Sequence, residues 1–506
     1  MKILLLEHPR EIAKERCNDI ANTPLSSSLI TGYTAGMLAS RKHEVKIVEG
    51  YLDKLSYDQI AGIIDNFEPD ILGIHLIYSW GNNGDLFSFL KENKGGRIKC
   101  IIAYGFYPTF AYSEILQQCT EIDAVIVGEP EHTFVQLAEI VQSRVFFNSP
   151  IPGLVWQDEF NKSGLQRREL EENLDLLPYP IRTDAMLRMP QINIEGSRGC
   201  YGGCTFCYIN PYYGKPSCWR GRSPENIIAE IDNLIERYGK RSFYFVDPNF
   251  FGPGRYGRER ALRLASLLRE RRIIFGIEGR VNDITEETIC ALVEAGLQEL
   301  LIGLESGKNE SLKRLNKMTT VEQNEKAIRI LRKYGLEPNV GFIMFEPDSS
   351  LEDIRTNFEF LLRNSLLNNL PITANVLYHP QIILQGTKAY HYLQGEGRLK
   401  LLSTTYEGTA TFANQQVAAL AQLMSKITNY LFLKMDGIWS GRVEKPEGAE
   451  VVYQKVNQTL IRSFSDALTF LESDKRLADE GTEAMAEEVK EEINLILSGK
   501  KLQFTI

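Results

Sequence analysis

The chain has 506 residues, 43% of them hydrophobic and 24% charged, with a formal net charge of −9. This balance is globular and excludes disordered, collagen-like and mucin-like classes, and the acidic excess argues against a nucleic-acid partner held by overall positive charge. No apolar run reaches the roughly 20 residues that span a bilayer, and Met1-Lys2-Ile3-Leu4-Leu5-Leu6-Glu7 is charged too soon for a secretory signal, so the expectation is a cytoplasmic chain of about three domains.

In chain order, the first 145 residues alternate strand and helix signals. Lys2–Leu6 is an apolar run, Ser27–Ser40 a helix, Glu44–Val48 a strand and Tyr57–Asn66 a helix. Asp70–Leu76 reads as a strand, Asp85–Lys94 as a helix, Ile98–Ala103 as a strand and Tyr112–Cys119 as a helix. Ala124–Val127 and Thr133–Ser143 complete the series. Such alternation predicts a parallel sheet covered by helices on both faces, with ligands at the carboxyl ends of its strands. Residues 146–189, punctuated by Pro150, Pro152, Pro178 and Pro180, read as a linker.

A second alternation follows over 190–394. Strands are expected at Gln191–Glu195, Ser242–Val246, Ile273–Ile277, Glu299–Leu304, Asn339–Met344 and Ile372–Leu377. Helices are expected at Ser223–Tyr238, Arg258–Arg271, Glu286–Glu294, Val321–Tyr334 and Leu351–Arg363, with Gly239, Gly296 and Gly335 placed to cap three of them. Six such units predict a partial (β/α)6 barrel with its chemistry at the carboxyl ends of the strands. Residues 395–506 read as a helical domain, with amphipathic helices at Asn414–Met435, Val452–Ser473 and Ala484–Leu497. It is expected to cover the barrel mouth and touch substrate, or else to form a dimerisation bundle.

Of eight cysteines, Cys200, Cys204 and Cys207 fall within one eight-residue segment, Cys200-Tyr201-Gly202-Gly203-Cys204-Thr205-Phe206-Cys207, directly after the first strand of the second alternation. In a reducing compartment such a cluster points to metal rather than to a disulfide. A [4Fe–4S] cube normally takes four cysteines, so three would leave one iron open to another molecule. Zinc would need a fourth ligand. Cys218 is the candidate for it, and a closed zinc or cluster knuckle is the competing reading.

The spacing C-x3-C-x-Φ-C at this place resembles the radical S-adenosylmethionine superfamily. The resemblance implies that Cys200, Cys204 and Cys207 hold a [4Fe–4S] cluster whose open iron chelates S-adenosylmethionine, which one electron cleaves to a 5′-deoxyadenosyl radical. It also implies an external electron donor like flavodoxin or ferredoxin. Phe206 matches the aromatic before the third cysteine and is expected near the adenine. Val246-Asp247-Pro248-Asn249-Phe250 resembles a motif for the methionine amino group, with Asp247 and Asn249 as acceptors. Arg280, in Glu278-Gly279-Arg280-Val281-Asn282, is expected to pair with the methionine carboxylate. Glu305 and Ser306 occupy the positions of a G-x-E-S motif for the ribose or the amine, and Gly341 and Ile343 supply backbone groups toward adenine.

The N-terminal unit narrows the resemblance to the cobalamin-binding members of that superfamily. Gly105-Phe106-Tyr107-Pro108-Thr109 is similar to their G-x-H-P-T loop, with Tyr107 in place of His, and Gly128-Glu129-Pro130-Glu131 to their G-E-G-E. Gly105, Phe106, Tyr107, Thr109, Gly128 and Glu129, with Tyr78 and Ser79 after the third strand, are therefore candidate cobalamin contacts. The D-x-H-x-x-G signature for a histidine on cobalt is absent, since the corresponding stretch is Glu7-His8-Pro9-Arg10-Glu11-Ile12. His8 is expected to be a loop residue, with cobalt free of histidine. The implied activity is C-methylation of an unactivated carbon in a small-molecule or peptide natural-product intermediate. The alternatives are cobalamin-assisted cyclisation, ring contraction or oxidation, and a corrinoid or iron–sulfur redox sensor. Tyr378 and His379, at the end of the sixth expected strand, are further candidates for touching substrate.

Overall fold

In a computed structural model, residues 1–10, 29–77, 83–95, 98–143, 150–158, 160, 165–402, 404–439, 448–473 and 479–498 are described. Ser27, Tyr78 and Ser79, singled out above, lie outside these residues.

The first unit runs β1 (Lys2–Glu7), α1 (Leu29–Ser40), β2 (Glu44–Glu49), α2 (Tyr57–Phe67), β3 (Ile71–His75), α3 (Asn83–Asn93), β4 (Cys100–Tyr104), α4 (Phe106–Gln118), β5 (Ala124–Ile126), α5 (Glu131–Ser143) and β6 (Leu154–Trp156). Its sheet has the order β2-β1-β3-β4-β5-β6. Every pairing is parallel except β5 with β6. Every residue of β3 and β4 is buried, as expected for strands covered on both faces. Two expectations need correction. The linker contributes an edge strand of this sheet, because apolar Leu154-Val155-Trp156 closes the β5 side. The Gly105–Thr109 segment is not a loop. Gly105 takes φ +117 as N-cap, and α4 starts at Phe106, six residues earlier than expected, with a kink at Ala111.

The second unit begins with α6 (Asp184–Arg188), β7 (Ile192–Ile194), β8 (Ser197–Arg198), α7 (Ile209–Tyr213), β9 (Arg220–Gly221), α8 (Pro224–Tyr238), β10 (Ser242–Phe245), α9 (Gly254–Arg269) and β11 (Ile274–Arg280). It continues with α10 (Glu286–Glu294), β12 (Leu297–Glu305), α11 (Asn309–Arg314), α12 (Val321–Lys333), β13 (Asn339–Phe342) and α13 (Leu351–Arg363). The parallel sheet has the order β13-β12-β11-β10-β7. Gly239, Gly296 and Gly335 follow their helices with φ of +65, +111 and +78, as the capping argument required.

The sixth strand does not form. Residues Leu370–Tyr378 are a helix, α14, begun by the Asn369 side chain accepting from Ile372 N–H and by Pro371 in its first turn. Only a lone parallel bridge, Phe345 with Pro380, continues the sheet. The continuous apolar run was compatible with either state, and Pro371 was the signal that decided for helix. The barrel is thus a five-stranded open arc, and His379 sits at a helix end.

The rest comprises β14 (Ile383–Leu384), α15 (Lys388–Gly395), β15 (Leu399–Leu401) and β16 (Glu407–Ala410), then α16 (Gln415–Trp439), α17 (Ala449–Glu472) and α18 (Asp479–Ser498). The β strands form a small antiparallel sheet, β14-β16-β15. Apolar residues of α16, α17 and α18 belong to one core with the second unit, and Phe464 of α17 lies against Phe358 of α13 and Phe345. Among the described residues no helix is long and apolar enough to cross a membrane.

Candidate active site

The three cysteines project from a loop whose base is pinned as a hairpin. Strands β8 and β9 pair antiparallel, Ser197 with Gly221 and Arg198 with Arg220, and close the chain between them. Gly199 takes φ +79, and a Cβ there would come 1.7 Å from the Cys218 carbonyl oxygen, so only glycine fits. Cys218 N–H donates to Cys200 O (3.1 Å). Asn210 ties the loop across its middle, accepting from Cys200 N–H (3.2 Å) and donating to Gly202 O (2.6 Å). The Cys218 thiol also meets Asn210 Oδ1, at 3.3 Å, so it serves this internal stitch.

Cys200, Cys204 and Cys207 line one cavity of about 250 Å³ at the carboxyl edge of the second sheet. Of the residues expected to bind S-adenosylmethionine, Phe206, Arg280, Glu305, Gly341 and Ile343 share that lining. Arg280 reaches Cys204 Sγ with Nη1 (3.5 Å) and donates from Nη2 to Lys317 O. A Cβ on Gly202 would meet that guanidinium at 2.2 Å, so the glycine leaves room for it. Gly202 N–H donates to Cys200 Sγ at 3.3 Å. Glu305 takes a left-handed φ of +62, a strained position for a non-glycine residue at the rim of a cavity.

Lys317 was missed in the sequence. Its ammonium lines the cavity and pairs with Glu305 Oε1 at 2.6 Å. Burial alone would lower the Lys317 pKa, but Glu305 and Cys204 outweigh it and the ammonium is held above its ordinary value. The available signal was its place between the G-x-E-S segment and the Thr320/Gln323 capping box, a loop at the carboxyl end of β12. In sequence a lysine there looks like any solvent lysine.

Burial also acts on the thiols. It raises the Cys200 pKa despite Arg280, and it pushes Cys207 up to about 12. Ligation by a metal group must therefore release protons, and the Arg280 and Lys317 cations favour the resulting thiolates. Among the described residues, no three His, Cys, Asp or Glu side chains converge on the position of a single ion. What fits a larger group is the set of three thiols on one cavity wall, with an N–H and the Arg280 guanidinium turned toward their sulfurs and the Lys317 ammonium on the same lining.

Other expected contacts lie outside this cavity. Asp247 is fully buried and accepts from Gly196 N–H (2.6 Å) and Ser197 Oγ–H (2.8 Å), so it anchors the start of the cysteine loop. Burial pushes its pKa up to about 6 against the pull of Arg260. The Asn249 carbonyl accepts from Trp219 Nε1–H (2.8 Å), and its buried side chain is beside the Asp283 carboxyl. Ser306 donates to Asn357 Oδ1 (2.8 Å) and pins the loop after β12. In the first unit, Thr109 Oγ accepts from Gly128 N–H (3.0 Å), and Tyr107 is buried against Tyr406. Phe106 packs on Tyr208 and Tyr212 beside Cys207, and Glu129 pairs with Arg198 and Arg220. Gly128 and Glu129 line a second cavity, of about 20 Å³, with His132 and Tyr212.

The C-terminal helices do not reach the site. The cavity lining ends at Lys388, and α16 and α17 pack behind α13 and α14 with α18 against both of them, where their apolar faces are buried. The expectation that they cover the mouth is corrected. The wall they were expected to supply comes from His379, Ile382, Leu384 and Lys388.

A family model for the radical SAM superfamily matches residues 194–361. An uncharacterized methyltransferase of Pyrococcus horikoshii is 29% identical over 370 residues, 71% of this chain and 77% of that protein. The 4′-phospho-dehydrooxetanocin synthase of Priestia megaterium is also 29% identical, over 397 residues, 69% of this chain and 50% of that longer protein. A solved structure of the cobalamin-dependent S-adenosylmethionine radical enzyme OxsB with aqua-cobalamin aligns over 98% of this chain and 80% of that one, with a TM-score of 0.80 at 19% identity. Residues 194–361 thus match the radical SAM superfamily, and the chain as a whole has the fold of the cobalamin-dependent enzyme OxsB.

Proposed function

We propose that this chain is a cobalamin-dependent radical S-adenosylmethionine methyltransferase acting on an unactivated carbon of a small molecule or peptide. The observation that carries the reading is the convergence of Cys200, Cys204 and Cys207 with Arg280, Lys317 and Glu305 on one cavity. The similarity to a protein named a methyltransferase supports the reaction, and the fold likeness to a cobalamin-bound enzyme supports the second cofactor. When bound, the cluster supplies the electron that cleaves S-adenosylmethionine, and the corrinoid supplies the methyl group.

The chain's own residues do the rest. The three thiolates hold the cluster, and Arg280 and Lys317 offset their charge and meet the methionine carboxylate. Glu305, oriented by Lys317, accepts from the ribose or the amine. Phe206, Gly341 and Ile343 form the adenine side. Ile382 and Leu384 exclude water from the side where substrate enters. The seven described cysteines are free, which suits a reducing cytoplasm and an electron donor of the flavodoxin or ferredoxin kind.

The test is product analysis after anaerobic reconstitution with both cofactors. Methyl transfer yields product one methyl group heavier, with S-adenosylhomocysteine and 5′-deoxyadenosine both formed. The similarity to a synthase favours a second reading, radical rearrangement without methyl transfer, whose mark is 5′-deoxyadenosine with no S-adenosylhomocysteine. Protein that retains no corrin absorbance defeats both readings.

A further inference from the structure

The carboxyl edge of the first sheet grips the cysteine loop on both flanks. Upstream of Cys200, Arg198 is buried and donates from Nε to Glu195 (2.7 Å), from Nη1 to Glu129 (2.9 Å) and from Nη2 to Glu131 (2.6 Å). Its cross-strand partner Arg220 donates to both carboxylate oxygens of Glu129 (2.8 and 3.2 Å) and to Glu171 O (2.6 Å). One carboxylate of the first unit therefore binds both strands at the base of the loop that carries the three cysteines. Downstream of Cys207, Tyr212 Oη–H donates to Gly128 O (2.9 Å), the residue before Glu129. The ring of Phe106 lies 4.3 Å from that of Tyr212 and 5.1 Å from that of Tyr208, which follows Cys207.

We propose that Glu129 is a positioning residue for the cysteine loop: by holding Arg198 and Arg220 together it fixes the stem from which Cys200, Cys204 and Cys207 project, and it touches no cofactor. A neutral side chain at this position leaves Arg220 with a carbonyl and an amide oxygen in place of a carboxylate. The hairpin base then loosens, and the sulfur positions with it. Groups that orient metal ligands from behind set metal affinity in this way. The inference rests on the reading that the three cysteines hold an iron–sulfur cluster.

The experiment compares wild type, Glu129→Gln and Glu129→Asp after anaerobic reconstitution. Three quantities are read: iron release to a chelator, the paramagnetic resonance of the reduced cluster with and without S-adenosylmethionine, and corrinoid retained after gel filtration. Glu129→Gln is expected to release iron about tenfold faster and to change the resonance, with corrinoid retention as in wild type. Glu129→Asp, which keeps the charge, is expected to recover part of the loss. Wild-type iron release and resonance in Glu129→Gln overturn the proposal, as does lost corrinoid retention with an unchanged cluster. Should Glu129→Gln not fold, Tyr212→Phe removes the bond to Gly128 alone. A smaller change of the same kind is expected, and an unchanged cluster overturns the proposal. Wild-type protein that takes up no iron defeats the cluster reading instead.

Discussion

Both sheets end in buried glutamates at their carboxyl edges, one held among countercharges and the other open on a cavity. In the first sheet the strand order reverses between β1 and β3, where Glu7 faces His75 in register. Such a switch point is where doubly wound sheets bind ligands. Here its described residues are polar side chains that meet one another. Glu7 accepts from Thr31 (2.5 Å), faces His75 Nδ1 (2.8 Å) and pairs with Arg10, and Tyr104 meets Thr31 at 2.9 Å. In the second sheet Glu278 opens on the cavity with one partner, the Tyr244 hydroxyl at 3.3 Å.

The two carboxyls move in opposite directions. Burial would raise Glu7, but His75 and Arg10 outweigh it and hold its pKa at about 2. Burial raises Glu278 to about 8, because Tyr244 alone cannot offset it. Countercharge, not burial, separates the two carboxyls.

The contrast can be broken at four places. The largest expected effect is on function at the open edge. Cys204→Ala abolishes cluster formation and S-adenosylmethionine cleavage while the fold persists, checked by iron content, 5′-deoxyadenosine yield and circular dichroism. At the Glu7 edge the loss falls on stability. Glu7→Gln leaves Arg10 buried without its carboxylate and costs about 3–5 kcal/mol in denaturant unfolding, and iron binding in the folded fraction is unchanged.

The pH dependence sharpens the comparison. The folded-state pKa of Glu7 lies below its unfolded value. Its stability contribution is therefore complete above pH ~4.5 and lost as pH falls toward 2. For Glu278 the sign reverses. The folded pKa is raised, so the stability tied to the protonated form is present below pH ~4.5 and lost as pH rises through 8. Glu278→Gln should flatten that decline, which in wild type amounts to about 1.4 kcal/mol per pH unit across the window, as measured by denaturant unfolding at pH 5 and pH 8. The smallest effect concerns Gly105, whose φ of +117 and 2.4 Å approach of an added Cβ to Leu76 O demand glycine. Gly105→Ala should cost about 1–3 kcal/mol, read as a lower thermal midpoint without change at the cysteines.

Much of this was legible in the residues. Strand–helix alternation, capping glycines and the cysteine spacing are local signals, and each is decided within a few residues of chain. That Arg280, Glu305, Gly341 and Ile343 would share one cavity was legible because a position along a barrel strand is also a position in space. Asp247 and Glu129, which meet protein groups outside that cavity, were harder to place for the complementary reason. An acidic residue at a strand end has the same sequence appearance whether it faces a ligand or a buried N–H or arginine, and only the partners in space distinguish the two.

By itself, then, the sequence determined the two largely parallel sheets and the cysteine loop of the segment that matches the radical SAM superfamily, because periodicity and cysteine spacing are properties of short segments. Tertiary structure alone decided that Lys317 belongs to the cavity, that Glu7 meets His75 and Arg10 at the switch point of the first sheet and that the C-terminal helices stand behind the barrel. Each of those outcomes depends on which distant groups meet a side chain once burial has removed its water, and no local pattern encodes that meeting.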